Sequence, residues 1–117
     1  MQNNVSRLSV KDIQDISDYL SSQRAKRALF AADPDPKTIE LGAASAKQLS
    51  CGNCHSQDYL GSKDIPRRAG RVPNYLERQI AEFKRGVRPH PAIPAAAEKL
   101  SDPIIAALAL YFAKLEP

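Results

Sequence analysis

The stretch Cys51-Gly52-Asn53-Cys54-His55 decides how the rest of the chain is read. It sets two thiols three residues apart, on one face of a helical turn, with an imidazole directly after the second. Two thiols so spaced can add to the two vinyl groups of a haem and form thioethers. The adjacent histidine then lies under the ring and can bind iron. Three other readings of the cysteines stay open. A thioredoxin-like dithiol also uses C-x-x-C, but it follows a β-strand, and no strand is expected before Cys51. A zinc site usually shows a second ligand pair, and here only His55 and His90 can join the two cysteines. The third reading is a free structural pair. Two cysteines in 117 residues exclude a disulfide scaffold.

Working outward from Cys51, the flanking sequence is helical. Residues 36–48 precede the motif, with Pro36 suited to a first helical turn. Residues 73–85 carry a stripe of Tyr75, Leu76, Gln79, Ile80 and Phe83, and Gly86 stands where a helix commonly stops. Residues 102–115 form a further helix with Ser101 as its N-cap. A helix over 9–28 opens on a capping box of Ser9 and Asp12, with Leu8, Ile13, Ile16, Tyr19 and Leu20 at helical spacing. Residues 31–36 are a linker by composition, and 57–72 form a polar, basic loop. Pro89, Pro91 and Pro94 make 89–94 stiff and extended. No strand pattern runs longer than a few residues, so the fold class is all-α.

Composition sets the outer bounds. The chain is one domain's worth of material, with 43% hydrophobic and 26% charged residues. Disorder of the whole chain is excluded on those figures. The longest apolar run, 104–113, is about half the length of a membrane-spanning helix, and no secretory signal is visible. Four Tyr, three Phe and no Trp leave a modest core. A haem, with its large apolar faces, would supply the missing buried area.

An internal repeat is visible at an offset of 92 residues. Leu8 meets Leu100, Ser9 meets Ser101, Ile13 meets Ile105, Ile16 meets Leu108, Tyr19 meets Tyr111 and Leu20 meets Phe112, without a gap. Any two capped amphipathic helices share some of this pattern. The alternative is that the first thirty residues close an earlier, related domain, so that the chain starts inside a tandem repeat.

Residues from about Lys37 to Leu115 resemble a class I cytochrome c domain. In that family a short helix leads into C-x-x-C-H, a loop crosses the haem edge, and a helix Y-L-x-x-Q-hydrophobic-x-x-F-x-x-G-x-R follows. A Met-bearing loop and a capped C-terminal helix complete it. The matching residues here are Tyr75-Leu76, Gln79-Ile80, Phe83, Gly86 and Arg88, then Leu100-Ser101-Asp102, Ile105, Leu108 and Tyr111. The string is similar in particular to the two-haem, tandem-domain branch of small bacterial cytochromes. The resemblance implies a cytochrome c fold of three to four helices enclosing one haem c per chain, plus an extra N-terminal helix. Residues 33–117 would be the cytochrome domain, and residues 1–32 the end of a preceding one plus linker. It implies that Cys51 and Cys54 hold the ring and that His55 is the proximal ligand. Leu49, Ile65, Tyr75, Leu76, Ile80, Ile93 and Leu100 would pack against it.

Two departures matter. The family's distal Met position falls on Ile93, which cannot bind iron, and the one methionine is Met1. His90 is the nearest alternative distal ligand; Met1 would reach iron only if the N-terminal segment folded back. The loop that often reads P-x-L-x-G-Q is here Pro66-Arg67-Arg68-Ala69-Gly70-Arg71. Arg68 and Arg71 either pair with haem propionates, whose carboxylates match guanidinium geometry, or face water.

Net charge is +4, and residues 63–88 hold eight basic side chains against three acidic. Such a surface suits an acidic redox partner. With no nucleic-acid module, and aromatics set in apolar stripes, nucleic-acid binding is disfavoured. The resulting expectation is an electron carrier cycling between ferric and ferrous iron, soluble or membrane-associated, in a respiratory chain. It is not expected to be an enzyme, and its place is the periplasm, where the resemblance puts haem attachment. The alternatives are a five-coordinate, ligand-binding or redox-degenerate haem domain and, in another class, a Cys/His zinc interaction module.

Overall fold

The computed structural model describes residues 5–27, 29–30 and 32–117. Six helices of four residues or more are named here in chain order: α1 Val10–Ser22, α2 Pro36–Gln48, α3 Gly52–His55, α4 Pro73–Lys84, α5 Ile93–Ala97 and α6 Asp102–Lys114. Among the described residues there is no β-strand, and a single isolated bridge joins Ser62 and Ile65. The all-α expectation is met.

Local chemistry explains most helix boundaries. At α1 the Ser9 hydroxyl accepts from Asp12 N at 3.1 Å and Ser9 N donates to Asp12 Oδ2 at 2.8 Å, the two halves of a capping box. At α2 the Asp35 carboxylate accepts from Thr38 N at 3.1 Å, ahead of Pro36 in the first turn. Gly86 ends α4 with φ +69°, a left-handed conformation that glycine adopts without penalty. Ser101 occupies the N-cap of α6, although its side chain makes no capping hydrogen bond.

Two boundaries differ from the sequence reading. The first helix stops at Ser22, where Gln23 turns extended, six residues short of Ala28, which lies outside the described residues. Ser21 and Ser22 hydroxyls bond back to the carbonyls of Asp18 and Tyr19, competing with continued helix. The stretch 89–94 is not extended throughout. Pro94 sits in the first turn of α5, where its fixed φ and missing N–H are tolerated.

The core is the meeting of α2, α4 and α6. Ala46, Leu76, Leu100, Ile105, Leu108, Ala109 and Phe112 form its buried cluster. Small residues bring α2 and α6 together. Gly42, Ser45 and Ala46 are buried on one helix, and Ala107, Ala109 and Ala113 on the other. A Cβ placed on Gly42 would stand 2.2 Å from the Ala107 carbonyl oxygen. Among the described residues only Leu76 and Leu108 are large side chains buried to within 2%. The protein core is therefore thin, as the scarcity of aromatics predicts.

No residue of α1 is buried, and Ile13, Ile16, Tyr19 and Leu20 are exposed. Yet α1 and α6 coincide end to end at the 92-residue offset. Both have 13 residues, with N-caps Ser9 (φ −72°, ψ 165°) and Ser101 (φ −77°, ψ 158°). Their C-caps also agree, Gln23 at φ −74°, ψ 131° and Leu115 at φ −70°, ψ 147°. The segment after α1 is tied to the end of α6: Arg27 pairs with Glu116 at 3.1 Å and Asp33 with Lys114 at 2.8 Å.

Candidate functional site: a haem cleft around His55

The motif sits on a sharp local turn. Ser50 (φ 54°) and Ser56 (φ 62°) both adopt left-handed backbone, so the chain reverses into and out of the four-residue α3. This detaches Cys51–His55 from α2 and aims it at a cleft bounded by α4, α5 and α6. Cys51, Cys54 and His55 all line that cleft. Both cysteines are free thiols, Cys51 half-buried and Cys54 exposed.

The loop after α3 fixes the histidine. The His55 ring lies with Nδ1 2.9 Å from the Pro66 carbonyl. Because a carbonyl only accepts, Nδ1 carries the proton and Nε2 keeps its lone pair. The loop that supplies Pro66 is pinned in turn. Tyr59 O accepts from Arg68 N and Ala69 N, and Gly70 N donates to Phe112 O at 2.8 Å on α6. Tyr59 packs against the rings of Tyr111 and Phe112, with centroids 5.9 and 4.9 Å away.

Electrostatics favour a neutral, ligating imidazole. Burial, then the Arg68 guanidinium, push the His55 pKa below its ordinary value, against the hydrogen bond to Pro66. Burial pushes the Cys51 thiol up, the reverse of what a redox dithiol nucleophile needs. With no strand before Cys51 among the described residues, the thioredoxin-like reading loses both its supports. Among the described residues no group of three or more His, Cys, Asp or Glu is placed to hold a metal ion, so the zinc reading lacks its ligands.

Of the residues expected to pack against a haem, Leu49, Leu76, Ile80, Ile93 and Leu100 line the cleft. Ile65 and Tyr75 are not among the lining residues, and Tyr75 faces solvent at 42% exposure. Phe83, Leu108 and Phe112 complete the wall and were not singled out for it. Their signal was present in the apolar stripes of α4 and α6, but which member of a stripe meets the cleft depends on how the helices cross. Gln79 lies at the same wall, buried, with its Oε1 accepting from Arg88 and its Nε2 donating to Glu82 at 3.2 Å. Arg88 also stands over the Phe83 ring, 4.9 Å from its centroid. This explains the spacing of Gln79, Phe83, Gly86 and Arg88: the left-handed turn at Gly86 brings the guanidinium back onto α4.

Arg68 lines the cleft, and its Nε donates to His55 Nε2 at 3.3 Å. Burial lowers its pKa from the ordinary guanidinium value. Arg71 is exposed and is not a lining residue. Arg67, next in the same run, buries its Nε without a hydrogen-bond partner. His90 is exposed and outside the lining. Its Nδ1 accepts from Ala92 N at 3.2 Å and Ile93 N at 3.3 Å, and its ring packs edge-on to Phe83. Met1 lies outside the described residues.

The residues present fit a covalently attached haem. Two reduced thiols and an imidazole whose Nε2 carries a lone pair, shared only with Arg68, open into one apolar cleft, in a chain whose own core is thin. Such a site in a helical shell defines the class of haem c electron-transfer proteins.

Comparison with known proteins agrees. The cytochrome subunit of sulfide dehydrogenase from Chlorobaculum tepidum is 32% identical over 73% of this chain and 77% of that protein. The thiosulfate dehydrogenase electron acceptor of Thiomonas intermedia is 35% identical over 77% of the chain, which spans 41% of that relative. The crystal structure of reduced recombinant cytochrome c4 from Pseudomonas stutzeri superposes with a TM-score of 0.79 at 27% identity, over 99% of this chain and 66% of that one. No protein-family model matches the chain. The chain belongs to the class I cytochrome c family, electron carriers whose cofactor is covalently attached haem c.

Proposed function

We propose that the chain passes single electrons between redox proteins through one haem c, attached by Cys51 and Cys54 and ligated by His55. The observation that supports this most is the convergence of both thiols and the Nε2 lone pair on one cleft, with Nδ1 held by Pro66 O. When bound, the haem supplies a one-electron ferric/ferrous couple. The rest falls to the protein. Pro66 O fixes the ring orientation and tautomer of His55 and raises its basicity as a ligand. Leu76, Leu108 and Phe112 exclude water. Arg68 cannot share the Nε2 lone pair with iron, so its guanidinium must leave His55 when the haem is loaded, which frees a half-buried cation to pair with a propionate.

The test is retention of haem colour after denaturing electrophoresis of protein made with a haem-attachment system. The wild type should keep its haem and Cys51→Ala/Cys54→Ala should lose it. A wild type that loses all colour on denaturation refutes the reading.

The periplasm is the compartment proposed. No helix among the described residues is long and apolar enough to cross a membrane. Partners with an acidic face suit the exposed cations Lys63, Arg71 and Arg85, none of which pairs with a carboxylate among the described residues. Arg78 and Lys84 are partly neutralised by Glu82 and Asp102. Two relatives carry sulfide or thiosulfate dehydrogenase in their names, so an electron donor of that kind is the first to try. Electron transfer from such a donor should slow as salt rises.

We further infer that α1 is the closing helix of a preceding domain of the same kind. Its length and cap geometry repeat those of α6, and its exposed Ile13, Ile16 and Leu20 correspond to the buried Ile105, Leu108 and Phe112. A second C-x-x-C-H encoded upstream of residue 1 is the expected finding.

A further inference from the structure

One wall of the cleft has no use in the carrier function as described. Its α5 side is built by Ala92, Ile93, Ala96 and Ala97. Haem iron takes protein ligands from His, Met, Cys and Tyr side chains. Of these types, the described residues lining the cleft supply only His55 and the two attachment cysteines. The polar side chains nearby are engaged elsewhere. Gln79 is held between Arg88 and Glu82. His90, three residues before Ile93, is turned to the backbone. Its Nδ1 lone pair accepts from two backbone N–H groups, so the ring's one acceptor nitrogen is engaged with α5.

We propose that this alanine and isoleucine wall leaves the haem's second axial position open and makes the cleft a binding site for a small neutral diatomic ligand, of the carbon monoxide or nitric oxide type. The proposal rests on attachment of haem at Cys51, Cys54 and His55. The wall selects for the ligand's chemistry. Three alanine methyls leave room beside Ile93, and apolar surroundings penalise an anion, which would be stripped of water there without a partner. Among the described residues Arg68 is the one cation lining the cleft, and on the carrier reading it is committed to a propionate once it leaves His55.

The experiment uses the full haem-loaded chain, with CO as the probe. Haem content is measured first, as the pyridine haemochrome. Absent haem would sink the carrier reading itself, and this inference with it. With haem present, the ferrous spectrum is expected to be high-spin and to shift, saturably, on adding CO. A low-spin spectrum that CO leaves unchanged overturns the inference and leaves the carrier reading standing; His90→Ala and Met1→Leu then show which side chain reaches the iron. Ile93→Met is the second arm. It is close to isosteric and is tolerated by most cores, and it should convert the spectrum to low-spin with loss of the CO response. An Ile93→Met protein that binds CO like the wild type would show that Ile93 does not face the iron, and would equally overturn the proposal. Ferric protein should show no comparable shift with azide; a strong azide shift contradicts the selectivity for neutral ligands.

Discussion

Replacing Gly42 by alanine tests the central packing claim, that α2 and α6 touch backbone to backbone. The added methyl carbon would lie 2.2 Å from Ala107 O and 2.7 Å from Tyr111 Cβ. Ordinary contact requires the helices to part by about 1 Å, and a gap of that size forfeits roughly a quarter to a half of each dispersion contact across the seam. Neither obstacle is the end of a flexible side chain, so a rotamer change brings no relief. Overpacking of a close-packed core costs about 1–3 kcal/mol, and a clash with backbone lies at the upper end. Alanine's better helix propensity offsets about 1 kcal/mol of that. The net loss is therefore about 2 kcal/mol. For a chain of this length it lowers the melting temperature by about 8 °C. The assay is reversible thermal unfolding of the haem-loaded protein followed by far-ultraviolet circular dichroism. A variant that melts at or above the wild-type temperature would refute the close approach.

Other substitutions read other parts of the site. Gln79→Ala removes a buried side chain and its hydrogen bond to a charged group and should destabilise the protein by about 1.5–3 kcal/mol, measured by denaturant unfolding; Arg88→Ala in the same background should then cost little more, because the pair is already broken. Arg68→Leu removes a half-buried cation from the proposed haem cleft and so favours the ferric state. The reduction potential should fall, and a redox titration that finds it raised contradicts the placement of Arg68. The Asp12 carboxyl is held below the usual carboxylate range by its hydrogen bonds to Ser9. A depressed carboxylate stabilises its helix above the unfolded pKa and stops doing so as pH falls through the folded one. The helical signal of α1 should thus persist at pH 5 and decline below about pH 4, while an Asp12→Asn variant loses that pH dependence.

Legibility in the sequence followed the range of the interactions. The ends of α1 and α2 were readable because Ser9, Asp12, Asp35 and Pro36 act within a single turn. Cys51, Cys54 and His55 were readable for a similar reason: the haem attachment proposed for them needs fixed spacing along the chain. Their convergence on one cleft with Leu49, Leu76, Ile80, Ile93 and Leu100 followed from helical stripes, which fix a face without naming its partner. Tyr75 and Ile65 lie outside that lining. Tyr75 shares a turn with Leu76 but points to solvent, and a one-residue step around a helix is the difference between core and surface.

By itself the sequence determined the class of this protein: an all-helical chain with a thiol-and-imidazole motif and too little aromatic bulk to fill its own core. Only the tertiary structure decided what those residues face. The Pro66 carbonyl, eleven residues from His55, sets the ring's tautomer; Arg68 reaches its other nitrogen; His90 turns to the backbone of α5; and Gly42 fits under Ala107, sixty-five residues away. These are contacts between segments distant in sequence, and they depend on how helices cross and loops are pinned. No local spacing rule encodes them, because the chain brings the partners together only once the core has packed.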